Sequence, residues 1–508
     1  MIAIPFILNT LASFVVGLLV AKFLGPAEYG RYAIALSAGI VIQTLAFDWL
    51  RLSATRFTAP DATGAARVAA SLNVLTLGLG GLACVAAVAA YFAPLPFAVD
   101  PALAMLAVLI ALANGLYDFA GAMLRARFCN GAYRGLVLVR ALLSGLLIVA
   151  AAAWFHSAAV ALGGVVAAMI GAVAFANKDV FDRGAGAGLA TRGQVRAFAG
   201  YALPIVLANV LIQGAPFLNR SLASQAYGLA EAGQLALAFD IGLRLIAAAG
   251  STIDALVFQL AVRAEAEHGA EAARKQVAAN IAIVFAVVAP IVVGCLLAMP
   301  SFEALLIPEA FRGPFAHYFL WLSPAFLAFA LTMYCVVPIF QIVHRTAPLI
   351  FGGAVTLAVN ALMIFALPRG ADATGFALAQ SVASAAGFAA VAALAVWLAP
   401  TRPNFRDLFG VVGACAAMAL AVWPLRGMPP GIVALAAQGA AGAAVYGGVL
   451  WGLDVCGVRG LVRRPGPSPT QKVPLGSAAA GLMLEPWRER RTEFVPSVQF
   501  KVLLWDRP

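Results

Sequence analysis

The feature that most limits the fold is a series of apolar runs, 18 to 30 residues long, that recur almost without pause from residue 2 to residue 453. A helix rises 1.5 Å per residue, so about 20 residues cross the roughly 30 Å hydrocarbon core of a bilayer. Each run can therefore span a membrane, and within hydrocarbon only a helix or a closed barrel satisfies its own backbone groups. Ten-residue segments of alternating polarity, the mark of a barrel, are missing from the sequence, which leaves an all-α, polytopic integral membrane protein. Charged residues make up only 11% of the chain, against roughly 25% in soluble domains.

The runs divide into fourteen predicted helices at 2–21, 32–50, 68–93, 101–124, 135–155, 158–176, 197–218, 231–262, 277–299, 315–343, 347–367, 374–399, 408–424 and 431–453. The expected organisation is a six-helix bundle at 1–176, a Gly-rich, charged cytoplasmic linker at 177–196, and a second six-helix bundle at 197–399. Two additional helices follow at 400–453, then a basic tail at 454–508 that reads as disordered, as a solvated tail that reinforces the orientation, with contact to anionic lipid head groups as the rival. The first run lacks a basic leader and a small-residue cleavage site, so it reads as a retained helix.

Lysine and arginine set the orientation. With a cytoplasmic N-terminus, the cytoplasmic loops hold Arg51, Arg56, Arg67, Arg125, Arg127, Arg134, Lys178, Arg183, Arg192, Arg196, Arg263, Arg274, Lys275, Arg345, Arg402 and Arg406, with more in the tail. The opposite loops hold Lys22, Arg31, Arg220, Arg312, Arg369 and Arg426. That bias predicts cytoplasmic N- and C-termini and reads the net charge of +11 as topology, with no nucleic acid partner. The six cysteines are scattered, without a C-x-x-C pair, which argues against a disulfide framework or a zinc site.

Two halves announce themselves through a repeat. GPAEYGRYAIALS at Gly25 to Ser37 returns at an offset of 203 as GLAEAGQLALAFD at Gly228 to Asp240, with Gly25, Ala27, Glu28, Gly30, Ala33 and Ala35 matched by identical residues. Each copy sits where one apolar run ends and another begins. An even number of spans separates them, so the repeat is predicted to be parallel, with a pseudo-two-fold axis along the membrane normal.

The sequence holds no phosphate loop, no H-E-x-x-H and no G-x-S-x-G, and it implies neither a cofactor nor a catalytic residue; the chain reads as no enzyme. The informative residues are intramembrane charges on the predicted eighth helix, Asp240, Arg244 and Asp254. At 100° per residue Arg244 lies 40° to one side of Asp240 and Asp254 lies 40° to the other, so one stripe carries all three. Arg244 suits phosphate oxygens, because its guanidinium stays charged and presents paired donors. Asp240 and Arg244 are also an i,i+4 pair that would neutralise itself within the bundle; both readings stay open. Asp240 and Asp254 are the candidates for ion coupling or for a structural pair. Arg140 is a second candidate for cavity lining, with snorkelling to the cytoplasmic surface as the rival. Asn209 and Gln213 either line a cavity or bond a neighbouring helix. Lys22, Arg31 and Arg220, at the ends of the repeat hairpins, either anchor the helices or receive an anionic head group.

LGPAEYGRYAIA at Leu24 to Ala35 and AEAGQLALAFD from Ala230 resemble the polysaccharide-biosynthesis, or O-antigen, flippases of the multidrug/oligosaccharidyl-lipid/polysaccharide exporter superfamily; with the fourteen-helix plan, the resemblance covers residues 1 to about 455. It implies two six-helix bundles around a central cavity, in a bacterial inner membrane, moving an undecaprenyl-diphosphate-linked oligosaccharide between leaflets for lipopolysaccharide, capsule or exopolysaccharide. It also implies cavity cations that hold the diphosphate, with Arg244 the best match and Arg140 second, and glycan polymerase and ligase machinery as partners. A cation-coupled drug exporter of the same superfamily is the main rival, and would want acidic cavity residues and an aromatic pocket. A membrane glycosyltransferase or O-antigen polymerase is the other, and would want a large outer loop carrying catalytic groups.

Overall fold

The computed structural model describes residues 3–58, 65–92, 100–181, 187–342, 347–367, 370–398 and 404–459. Of the tail expected at 454–508, all but the first six residues lie outside that set, as do residues 182–186 of the linker. The described chain is helical throughout and contains no strand: α1 (Ala3–Ala46), α2 (Asp48–Phe57), α3 (Ala65–Phe92), α4 (Pro101–Ala126), α5 (Asn130–Leu143), α6 (Val149–Phe155), α7 (Ala158–Val180), α8 (Arg192–Tyr227), α9 (Leu229–Leu297), α10 (Met299–Leu306), α11 (Pro314–Leu331), α12 (Val337–Ile342), α13 (Ala347–Ala366), α14 (Thr374–Leu398), α15 (Phe405–Val422) and α16 (Ile432–Leu453). Single π-helical turns at Ser144–Ile148 and Thr332–Val336 join α5 to α6 and α11 to α12, so each pair makes one crossing.

Thirteen helical stretches among the described residues are long and apolar enough to cross a membrane. The first, Ala12–Ala46, is interrupted at Gly25 and so carries two crossings, which brings the total to the fourteen read from the sequence. The helices form two bundles, α1 to α7 and α8 to α14, with α15 and α16 packed on each other and α15 also against α9. In the first bundle α4 lies against α1, α3 and α7; in the second α11 lies against α9 and α14, and α13 against α8 and α14. α1 also packs on α8 and α9 and so ties the bundles together.

The repeated motif builds this junction. Gly25 (φ 70°, ψ 174°) and Gly228 (φ 91°, ψ 168°) share one backbone conformation at positive φ, where a side chain would be strained. The sequence reading placed polar loops of about ten residues here; the structure compresses each into one glycine, after which the chain is helical again. Pro26 follows the first break with its φ already set for a helix, and Glu28 and Glu231 fall in the first turn, where negative charge suits the helix dipole. As a result α8 runs on to Tyr227, beyond the expected end at 218, and Arg220 lies inside a helix rather than in a loop.

The conserved spacing of the two copies serves two contacts. Glu28 accepts a hydrogen bond from the backbone N–H of Ala158 at 2.8 Å, which caps α7, the sixth crossing of the first bundle. Glu231 accepts from the Tyr318 hydroxyl and, at 3.5 Å, from the N–H of Ala373, at the start of α14, the sixth crossing of the second bundle. Gly30 and Gly233 pack backbone to backbone: a Cβ on Gly30 would lie 3.2 Å from the Gly233 nitrogen, and one on Gly233 would lie 2.9 Å from the Gly30 nitrogen. Each would also collide with a carbonyl oxygen of the other copy, Leu229 for Gly30 and Pro26 for Gly233. Residues 26 and 30 meet 229 and 233, so the contact is reciprocal under the offset of 203, and the pseudo-two-fold axis passes between the two glycines.

Candidate functional site

A cavity of about 680 Å³ occupies the second bundle, walled by α8, α9, α11, α13 and α14 with the π turn at Thr332–Val336. At the end away from the repeat motif it reaches Leu52 and Arg56 of α2. The Arg56 guanidinium lies 5.7 Å from the centre of the Tyr201 ring, and Phe57 packs on Phe198 and Tyr201 beside it. The walls mix aromatic rings (Phe239, Phe326, Phe329, Phe388) with amides and hydroxyls (Asn209, Gln213, Gln380, Thr332, Thr356, Ser384). No carboxylate lines it among the described residues, and Arg56 is its one charged group. Such a wall can desolvate an apolar segment and hydrogen-bond a hydroxyl-rich one, with one fixed positive charge near an end.

Asn209 and Gln213, one turn apart on α8, both face this cavity. Behind the wall lies a buried amide network. Asn219 donates to Asn360 Oδ1 at 3.1 Å and to Gln380 Oε1 at 2.7 Å, Asn360 donates back at 3.0 Å, and Gln380 donates to Ser384 at 3.3 Å. These groups tie α8, α13 and α14 together at a depth where unpaired amides would be costly.

At the motif end the cavity stops at Pro216, Phe239 and Gln380, and those same residues border a space too small for more than one water that is also lined by Asn219 and Arg220. Arg220 is 6% exposed, its guanidinium 5.4 Å from the centre of the Phe239 ring. It pairs with Asp240 at 2.5 Å, donates to the Ser37 hydroxyl at 2.6 Å and reaches the Ala33 carbonyl at 3.5 Å. Tyr29 donates to the other Asp240 oxygen at 3.3 Å.

This geometry corrects two sequence expectations. Asp240 takes its cation from Arg220, twenty residues earlier on the neighbouring helix, rather than from Arg244 one turn away. Arg220 is buried in that pair rather than displayed as a hairpin anchor. Arg244 points elsewhere, donating to the Ser13 carbonyl of α1 where Gly17 leaves the room: a Cβ there would collide with the guanidinium. It does not line the cavity, although its neighbour Leu243 does.

The other predicted residues are spread out. Arg140 lies half-buried with its guanidinium 4.6 Å from the centre of the Tyr117 ring of α4 and does not line this cavity. Arg31 is exposed and paired with Glu28, and Lys22 is exposed at the motif end. Asp254 lies on α9, its side chain outside the described ones.

Several groups escaped the sequence reading. Arg56 entered it only as a topology charge. Gln43 bridges two carboxylates in the first bundle, donating to Asp48 at 3.2 Å and Asp118 at 3.0 Å, with Arg51 3.3 Å from Asp48. Isolated polar residues inside apolar runs, such as Asn219, Asn360 and Gln380, were the available signal.

No family model and no curated protein sequence matches the chain. Solved structures do. The lipid II flippase MurJ, in an inward closed conformation, superposes with a TM-score of 0.66 at 14% identity, over 91% of this chain and 99% of that one. An inward-facing conformation of a multidrug resistance MATE family transporter of the MOP superfamily superposes at 0.51 and 15% identity, over 78% of this chain and 95% of that one. At these identities the likeness is one of architecture: the chain has the fold that this flippase and this exporter share.

Proposed function

We propose that the chain is a transporter that moves an anionic, lipid-linked oligosaccharide, in the form of an undecaprenyl-diphosphate-linked glycan, across a bacterial cytoplasmic membrane by alternating access. The observation that carries this reading is the make-up of the cavity wall, with the Arg56 guanidinium near one end and several amides and hydroxyls along it. A diphosphate cannot enter hydrocarbon without cationic donors to replace its hydration, and a glycan needs amide and hydroxyl partners. Arg56 stands where such a diphosphate would enter, and Asn209, Gln213 and Gln380 stand where sugar hydroxyls would lie. The superposition on a lipid II flippase over nearly the whole of both chains supports the same class of cargo.

The termini are placed in the cytoplasm by the arginine and lysine bias, so Arg56 faces the loading side and the motif the release side. The domain boundaries at 176, 197 and 399 belong to the same proposal, with Asp254 as the coupling candidate and Asp240 in the structural pair with Arg220; rocking of the two bundles about the axis at Gly30 and Gly233 exchanges access. The cargo would serve surface polysaccharide (O-antigen, capsule or exopolysaccharide) assembly beside polymerase and ligase machinery.

The test compares Arg56→Ala with Arg56→Lys, and Arg244→Ala with Arg244→Lys, in a strain lacking this gene, scoring surface polysaccharide and membrane-inserted protein together. Normal insertion with lost export for Arg56→Ala and partial recovery for Arg56→Lys is the expected result. Wild-type export by Arg56→Ala would remove the diphosphate from this end of the cavity. The aromatic wall, Phe239, Phe326, Phe329 and Phe388, favours a second reading, export of an apolar amphiphile. Under it, the deletion strain loses drug tolerance while keeping its polysaccharide.

A further inference from the structure

Arg220 stands at a junction that the transport reading does not use. Its ion pair with Asp240 lies wholly within the second bundle, on α8 and α9, whereas its bonds to Ser37 and Ala33 cross to α1 of the first. The Tyr29 bond to Asp240 crosses in the other direction. Next to this network the backbones of Gly30 and Gly233 touch. Phe239, the residue on which the cavity ends, is the ring over which Arg220 sits.

We propose that Arg220, positioned by Asp240, is the latch that closes the motif end of the cavity, by donating from the second bundle to Ser37 and Ala33 of the first. This rests on the alternating-access reading and adds the element that such a motion must release. The arrangement separates two tasks. Asp240 neutralises Arg220 in either state, so parting the bundles never leaves a lone charge in the membrane. What breaks is a set of bonds to neutral partners on α1, together with the Tyr29 bond and the glycine contact. Neutral partners keep that barrier within reach of ordinary binding energy, whereas an ion pair spanning the two bundles would have to be pulled apart at each cycle. Because Phe239 separates the cavity from the guanidinium, cargo that reaches the end of the cavity presses on the residue beneath the latch. Among the described residues, Arg220 and Tyr29 bond to Asp240, and Tyr32 and Arg244 lie within electrostatic reach of the same cluster.

The experiment is a distance measurement across the motif end. Spin labels are attached to unnatural residues at Ala27 and Gln225, both exposed and on opposite bundles, and pulsed distance distributions are recorded on the full chain in lipid nanodiscs, with no cargo present. Ser37→Ala removes the bridging acceptor and leaves both charges paired; the ratio of long to short distances is expected to rise at least tenfold, and Ser37→Thr to keep the wild-type distribution. Arg220→Met with Asp240→Leu removes both charges without stranding either, and is expected to open the motif end to a similar degree in inserted protein. A wild-type distribution in Ser37→Ala, or in the inserted double variant, overturns the latch. Since no cargo is needed, a failure here with export still lost in Arg56→Ala rejects the latch alone, and opening in Ser37→Ala with export unchanged in Arg56→Ala rejects the diphosphate site alone.

Discussion

Gly30→Ala and Gly233→Ala separate conformational preference from stability. The methyl of Gly30→Ala would stand 3.2 Å from the Gly233 nitrogen and well inside van der Waals contact with the Leu229 carbonyl, while that of Gly233→Ala would stand 2.9 Å from the Gly30 nitrogen and against the Pro26 carbonyl. These neighbours are backbone atoms of packed helices, so relief comes only from moving α1 away from α9. Overpacking of this kind costs about 1 to 3 kcal/mol. Alanine gains up to about 1 kcal/mol over glycine within a helix, but it gains this whether the bundles touch or part. The equilibrium between the two arrangements therefore feels the full clash, roughly a 5- to 150-fold shift toward open, whereas thermal unfolding feels the difference of the two terms, about 0 to 2 kcal/mol, and moves less. The offset-203 symmetry adds a sharper requirement: the two single variants should shift the distances across the motif end by the same amount. The double variant should shift them by less than the sum, since one displacement relieves both clashes. Gly78→Ala, where an added Cβ meets nothing within 4 Å, serves as the control. Single variants that leave the distances unchanged, or that differ from each other by more than tenfold, refute the reciprocal contact.

Three further outcomes follow from the polar contacts. Glu28→Ala and Glu231→Ala each strip the cap from a sixth crossing, so each is expected to lose about 1 kcal/mol, read as faster amide exchange at the first turn of α7 or of α14; unchanged exchange at Ala158 in Glu28→Ala would show that the cap is idle. Asn219→Leu strands Asn360 and the Gln380 oxygen in a buried site, a loss of about 2 to 6 kcal/mol for two unsatisfied groups, visible as a lowered unfolding temperature in detergent, and a wild-type melt would exclude the network from the core. Asp372, in the segment between α13 and α14, is held below the usual carboxylate range, chiefly by the Thr374 side-chain hydroxyl and secondarily by its backbone N–H and by His317. A lowered folded value means that its stabilisation is complete above about pH 4, the unfolded value, and is lost as pH falls through the folded value. Asp372→Asn should flatten that acid limb of the unfolding profile, and an unchanged limb would remove Asp372 as its source.

The crossings were legible in the sequence because the membrane imposes a length that apolar runs must meet, and the repeat was legible because both copies keep the glycines and the glutamate that their contacts need. Gly25 and Gly228 were read as loop residues because glycine after an apolar run usually marks one. Only the backbone angles reveal a single-residue break between two helices. That one difference hid Arg220. Placed in a loop, it looked like an anchor; placed seven residues inside α8, it has to be buried and paired. Of the two open readings of Asp240, the i,i+4 pair named Arg244 because that neighbour is the one a linear sequence displays, whereas α8 packs alongside α9 and brings Arg220 to it. Arg56 illustrates a related loss. Counting it toward one end of the molecule says nothing of the direction in which it faces, and facing Tyr201 at the cavity is what gives it interest. Asn209 and Gln213 could be placed on one face of a helix, but not against a cavity whose other walls come from α9, α11, α13 and α14.

The two glutamate caps also bear on the order in which the protein can be assembled. Glu28 awaits a partner 130 residues downstream, and Glu231 awaits one 142 residues downstream. A chain emerging from a ribosome therefore inserts the first hairpin of each half long before the helix that its glutamate caps, and the half is not fastened at that end until its sixth helix arrives. The last helix of each set is its clasp. A truncation before residue 158 leaves Glu28 with Arg31 alone, and one before residue 373 leaves Glu231 with the Tyr318 hydroxyl alone, so in either case the sixth helix is never fastened.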